Sequence, residues 1–276
     1  MSLNYFNLNF STSSKSSVFA LPTTNHYQTV SSLEVSEPSQ LVSLENKNQV
    51  ILFSEMGPHF FRFVHQPKKI HLTIQTEGIF VEKKKNVLKS DAFISSNDPK
   101  IIALSNSWVK KANADTAEKI VTTFYQKILE YLEYANPYQG LYTYKQAVDT
   151  QQTDCGGFAT LLASLLQVQG ITSRLVVGYV YSQKKSSTVK RFVHIPLSFS
   201  DISMHAWLEV KTKSGGWFPL DPSIEWKRIH KQSMRKGGFG IIPDDRLVLS
   251  FGHNIIFEHQ NHKKVFPILQ HLEELK

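Results

Sequence analysis

The chain has 276 residues, of which 41% are apolar and 20% charged, and a formal net charge of +8. This is ordinary for a globular protein and supplies one large core or two modest ones, while no run approaches the roughly 18 consecutive apolar residues of a membrane-crossing helix. A single cysteine, Cys155, excludes an internal disulfide and a multi-cysteine zinc site.

The positive charge is spread over short clusters: Lys83-Lys84-Lys85, Lys184-Lys185, Lys190-Arg191 and Lys227-Arg228. They are not interleaved with aromatic residues on one surface, so the expectation is a solvated basic face and no nucleic-acid partner. The opening residues MSLNYFNLNFSTSS lack a basic cluster followed by an apolar segment, which fits a cytoplasmic chain without a secretory signal.

Residues 1–95 read as a small antiparallel β region. HFFRFVHQP and KKIHLTIQTEGIFVE are rich in β-branched and aromatic residues, with alternation at Ile70, Leu72 and Ile74, and polar breaks separate the strand candidates. The pattern changes at S-S-N-D-P, residues 95–99, and a helix is expected through Trp108. A second helix starts at Asp115, whose side chain can cap it with Glu118 three residues on. Its buried stripe is Ile120, Phe124, Ile128 and Leu132, and Asn136-Pro137 ends it. A third helix runs through CGGFATLLASLLQVQ, with Asp154 as N-cap and Gly170 at the C-terminal cap. SRLVVGYVY, MHAWLEVK and GWFPLD are strands, the last two joined by a K-T-K-S-G-G hairpin turn. Residues 183–191 read as an exposed loop, and RLVLSFG and NIIFEH are further strands.

Cys155 falls in the first turn of the third helix. Free N–H groups and the positive dipole end favour a thiolate there. Gly156 and Gly157 each cost about 1 kcal/mol against alanine in a helix. They leave room for a substrate to approach and expose N–H groups that can hold an oxyanion. The plain alternative is a buried, inert thiol. In MHAWLEVK, His205, Trp207 and Glu209 share one face and Met204, Ala206, Leu208 and Val210 the other, as on a central strand. His205 is a candidate base, or a satisfied core histidine. Asp221, on the next strand of the hairpin, can orient an imidazole, or it begins a turn with Pro222. His194 is the rival base. No histidine–carboxylate spacing suggests a metal.

The four blocks TDCGGFATLL, GITSRLVVGY, MHAWLEV and GWFPLDP, in that order, resemble the core of the transglutaminase-like superfamily over residues 95–225. The preceding β region is similar to that of its bacterial cysteine-protease-like members. The resemblance implies an α+β, papain-like fold in which the cysteine-bearing helix packs on an antiparallel sheet. It divides the chain into an N-terminal β region, 1–95, and a catalytic core, 96–276. Cys155 becomes the nucleophile, His205 its base and Asp221 the orienting acid, on successive strands. Gly156, Tyr142 and Tyr144 are candidates for holding the oxyanion, and Trp207 for walling the site. The calcium loops of large animal transglutaminases and the zinc-binding cysteine pairs of peptide N-glycanases are missing, so no metal or cofactor is expected.

The implied function is a thiol-dependent enzyme acting on a peptide bond or a glutamine side chain of a protein or peptide substrate. It proceeds through a thioester, with hydrolysis favoured over amine transfer. The alternative is a binding or scaffold module that keeps the fold without turnover.

Overall fold

The computed structural model describes residues 3–81, 90–135, 141–181, 202–260, 262–270 and 272–275. His194 and the expected loop at 183–191 lie outside them. In chain order the strands are β1 (Asn4–Thr12), β2 (Ser17–Leu21), β3 (Gln28–Val35), β4 (Ser39–Ser43), β5 (Gln49–Phe53), β6 (Gly57–Pro67) and β7 (Ile70–His71). After the short helix α1 (Ile74–Glu77) come α2 (Pro99–Ala112), α3 (Ala117–Tyr131), β8 (Glu133–Tyr134), α4 (Tyr144–Thr150), β9 (Gln152–Thr153) and α5 (Cys155–Val168). Then follow β10 (Ser173–Tyr181), β11 (Ile202–Lys211), β12 (Trp217–Leu220), α6 (Pro222–Ile229), β13 (Ile241–Ile242), β14 (Arg246–Phe251), β15 (Ile255–His259), β16 (His262–Phe266) and β17 (Leu272–Glu274). The class is α+β, as expected.

The chain divides into two compact units. The first comprises Met1–Lys69, Val176–His205 and Asp244–Lys276, and the second Ile70–Leu175 and Ala206–Pro243.

The first unit is built from antiparallel sheets ordered β1-β6-β3 and β17-β2-β5-β4, with the hairpin β15-β16. Its core is aromatic: Phe6, Phe53, Phe61, Phe63, Phe257 and Phe266 are buried together. The alternating sequence of β6 explains this, since every second side chain of HFFRFVHQP faces inward. A buried amide ties the elements. Gln28 donates from Nε2 to the Val248 carbonyl and accepts the Val248 N–H at Oε1, both at 2.8 Å. His65 Nε2 meets the same Oε1 at 3.1 Å.

The second unit packs α2, α3 and α5 around Phe124, Ile128, Phe158, Leu161, Leu162 and Leu165, with Leu208, Val210 and Phe218 contributed by β11 and β12. Helix α5 is apolar nearly all round because it is enclosed on all sides. Strands β11 and β12 form the expected hairpin, with Leu208 opposite Leu220 and Lys211 opposite Trp217. Its turn uses Gly215 at φ 85°. In the strand order β12-β11-β10-β14, β11 is internal, and it is buried on both faces from His205 to Val210.

Three local expectations give way. KKIHLTIQTEG forms only two strand residues. Leu72 N–H then donates to the Gly240 carbonyl at 2.9 Å, and Ile74–Glu77 turn as a helix closed by Gly78 at φ 60°. Helix α3 is capped by Thr116, which accepts the Lys119 N–H at 3.3 Å, while Asp115 pairs with the Lys119 ammonium at 2.7 Å. Glu118 is engaged by Ile79 N–H and Lys213, so no capping box forms. Helix α3 also stops at Tyr131, ahead of Asn136-Pro137, which lie outside the described residues.

Candidate active site

Cys155 is the first residue of α5. Asp154 is the N-cap and accepts the Gly157 N–H at 3.2 Å, as its position predicts. The two glycines have a local cause. A Cβ on Gly157 would lie 1.8 Å from Thr153 Oγ1, and one on Gly156 would lie 2.9 Å from Leu141 Cδ1 and 3.2 Å from Tyr142 N. The space is thus filled by the protein's own β9 and by residues 141–142, not left open for a substrate. Strand β9 is held there by parallel pairing with β8, through Ala135 N–H to the Thr153 carbonyl at 2.9 Å.

The electrostatics of Cys155 also differ from the expectation of a thiolate made by the helix start. The residue is half-buried. Burial is the largest influence and, with the neighbouring Asp154 carboxylate, pushes the thiol up to about 12. The backbone N–H of Ala206, hydrogen-bonded to the sulfur, and the charge of Lys227 pull the other way without prevailing, and Asp221 adds to the upward push.

Ala206 lies in β11, joined through its peptide bond to His205. His205 is buried, at 5% exposure, and shares a face of β11 with fully buried Trp207 and Glu209. Glu209 is neutralised by Arg174, whose Nε donates to Oε2 at 2.8 Å. The Arg174 guanidinium stacks 4.0 Å from the centre of the Trp217 ring.

Asp221 does not extend β12. It is the N-cap of α6, accepting Ile224 N–H and the Ser223 hydroxyl at 3.4 Å each, with Pro222 as the first helical residue. Proline suits that position because its missing N–H is not needed there. Both readings of the D-P pair therefore meet in one residue: Asp221 starts a helix and, fully buried, is among the charges felt by Cys155.

Of the oxyanion candidates, Gly156 and Tyr142 lie together at the start of α5. The Tyr142 carbonyl accepts the Thr160 hydroxyl at 3.1 Å. Tyr144 turns elsewhere, its hydroxyl donating to Asp98 Oδ2 at 3.1 Å.

Two residues enter that sequence reading missed. Tyr134, in β8, lies 6.4 Å ring to ring from both Phe158 and Trp226. Burial, then the charges of Cys155, Asp154 and Asp221, raise its phenol well above the ordinary value. Lys227, on α6, holds its Nζ 3.5 Å from the centre of the Tyr134 ring. Neither carries a sequence signal: β8 has two residues, and Lys227 reads as one half of a surface Lys-Arg pair. No cluster of metal-binding side chains occurs among the described residues.

Residues 102–222 match the model of the transglutaminase-like superfamily core. Over that span the sequence is similar to a transglutaminase-like core. The matched span of that core includes Cys155, His205 and Asp221. The fold is similar to that of the "Putative Cysteine Protease from Cytophaga hutchinsonii". The TM-score is 0.56 at 14% identity, over 91% of this chain and 80% of the other. The periplasmic domain of TgpA from Pseudomonas aeruginosa aligns with a TM-score of 0.42 at 14% identity, over 79% of this chain and 73% of that one. No curated protein matches the sequence. No helix among the described residues is long and apolar enough to cross a membrane.

Proposed function

We propose that the transglutaminase-like core is a thiol-dependent enzyme acting on amide bonds, of a peptide or of a glutamine side chain, with Cys155 as nucleophile, His205 as base and Asp221 as orienting acid. The observation that carries this reading is the setting of the sulfur. It lies at a helix start, accepts a hydrogen bond from the Ala206 N–H one residue beyond His205, and feels the charge of Asp221.

Because burial holds the thiol protonated at neutral pH, the base must act during attack rather than before it. The sulfur bonds to the carbonyl carbon as His205 takes the thiol proton, and the carbonyl electrons become an oxyanion. The Cys155 backbone N–H and the Tyr134 hydroxyl, which stays protonated, are its donors. His205 then returns the proton to the leaving amine as the C–N bond breaks, leaving a thioester. Water, deprotonated by His205, attacks the thioester; as the new oxyanion collapses the S–C bond breaks, the carboxylic acid is released and His205 returns its proton to the Cys155 sulfur. Hydrolysis is preferred to amine transfer, in line with the sequence's likeness to bacterial cysteine-protease-like proteins.

The test is the pH dependence of alkylation by iodoacetamide, read by intact mass, in the wild type and His205→Ala. With one thiol the mass reports on Cys155 alone. Labelling at neutral pH that depends on His205, and is lost in the variant, is expected. Labelling that rises only in alkali, alike in both proteins, overturns the pairing and favours a module that binds without turnover.

A further inference from the structure

Lys227 is half-buried in the last turn of α6, and its ammonium rests on the face of Tyr134. That ring is fixed from the sides by Phe158 and Trp226. Among the described residues, Nζ has no carboxylate at ion-pair distance. The acids that share its surroundings are committed as helix caps, Asp154 to Gly157 N–H and Asp221 to Ile224 N–H and the Ser223 hydroxyl. An ammonium carries three donors, and an aromatic face satisfies it only through its quadrupole. Burial lowers the Lys227 ammonium below its ordinary range, and the Asp221 and Asp154 carboxylates work against that. The result is a cation with spare donor capacity within electrostatic reach of the reacting sulfur.

We propose that Lys227 is a specificity-determining residue that selects acyl donors carrying a carboxylate close to the scissile amide. The inference rests on the reading of Cys155 as the nucleophile. A carboxylate brought to this position gains charge-assisted hydrogen bonds in a partly desolvated setting, whereas a neutral side chain gains none and leaves the ammonium as it was. Arginine can serve the same purpose, since it also donates to carboxylates and stacks on aromatic rings.

Two alkylating reagents of one size and opposite character test this without a known substrate. Iodoacetate carries a carboxylate beside the reacting carbon, and iodoacetamide carries a neutral amide. In both, the sulfur bonds to the methylene carbon, iodide leaves and the thiol proton passes to the buffer. Rates of Cys155 labelling by each are measured by intact mass at one pH and ionic strength, in wild type, Lys227→Gln, Lys227→Arg and, as a control, Arg228→Gln. Arg228 is exposed and paired with Glu225 at 3.2 Å. The iodoacetate-to-iodoacetamide rate ratio is expected to fall about tenfold in Lys227→Gln and to persist in Lys227→Arg and Arg228→Gln. In the wild type it should shrink as salt is raised. Labelling by both reagents with an unchanged ratio in Lys227→Gln overturns this inference alone. Labelling by neither reagent until the protein is denatured overturns the reactive-thiol reading and this inference with it.

Discussion

The hydroxyl oxygen of Thr153 occupies the point, 1.8 Å away, where a Cβ on Gly157 would begin. Strand β9 and the first turn of α5 are in contact through that pair, so the glycine is required by the fold around Cys155. Gly157→Ala is expected to destabilise the protein by about 1–3 kcal/mol, since a backbone shift is the only relief. Thr153→Ala in the same chain removes the closest atom and should recover part of the loss. Urea midpoints of the two variants check both statements.

Asp154 both caps α5 and holds the Cys155 thiol up. Asparagine caps helices as well as aspartate does but carries no charge. Asp154→Asn is therefore expected to lower the thiol's ionisation range and to speed iodoacetamide labelling several-fold between pH 8 and 9, with little loss of stability. Equal labelling rates in wild type and variant would remove the carboxylate from the account of the thiol.

The buried Glu209 depends on Arg174. Truncating the arginine leaves a carboxylate with no exposure beside β12, and Arg174→Ala is expected to cost about 3–5 kcal/mol. Replacing both, as Arg174→Met with Glu209→Gln, should cost less than the single change. A double-mutant cycle by denaturant unfolding reads the coupling.

His65 predicts an acid-side loss of stability. Burial lowers its ionisation to about 4. Its Nε2 bonds Gln28, and its Nδ1 is buried without a partner among the described residues. Between pH 6.5 and 4 the unfolded chain binds a proton that the folded one refuses, so stability falls as pH drops through that window, by about 3 kcal/mol at most. His65→Gln should flatten this part of the stability–pH curve. A curve of unchanged slope would assign the acid loss to other groups.

Much of this arrangement is legible in the sequence. Asp154 and Gly170 mark the two ends of α5 because caps are local chemistry, and the alternation of MHAWLEV gives the two buried faces of β11 because pleating is local too. The α+β class follows from the same patterns. What is not legible depends on distant partners. Ile70, Leu72 and Ile74 alternate like a strand, but only the pairing with β13 decides where strand ends and helix begins. The α4 turn, Tyr144–Thr150, is too short to show a periodic stripe. The reason for Gly157 is Thr153, and the weight of Lys227 comes from Tyr134, ninety-three positions earlier in the chain. The C-G-G-F motif is visible in the sequence; the residues packed and charged around its cysteine come from unremarkable sequence.

Strand β17 pairs with β2, matching Leu272 to Phe19 and Glu274 to Ser17. The first unit thus pairs a strand the ribosome releases early with one that follows far later in the same chain. Until residues 272–274 emerge, β2 has one paired edge and one bare one, while every residue of the second unit is already outside. Synthesis therefore sets an order: the unit that carries Cys155 can close first, and the β-rich unit waits with an open strand edge, the kind of template on which chains misassociate.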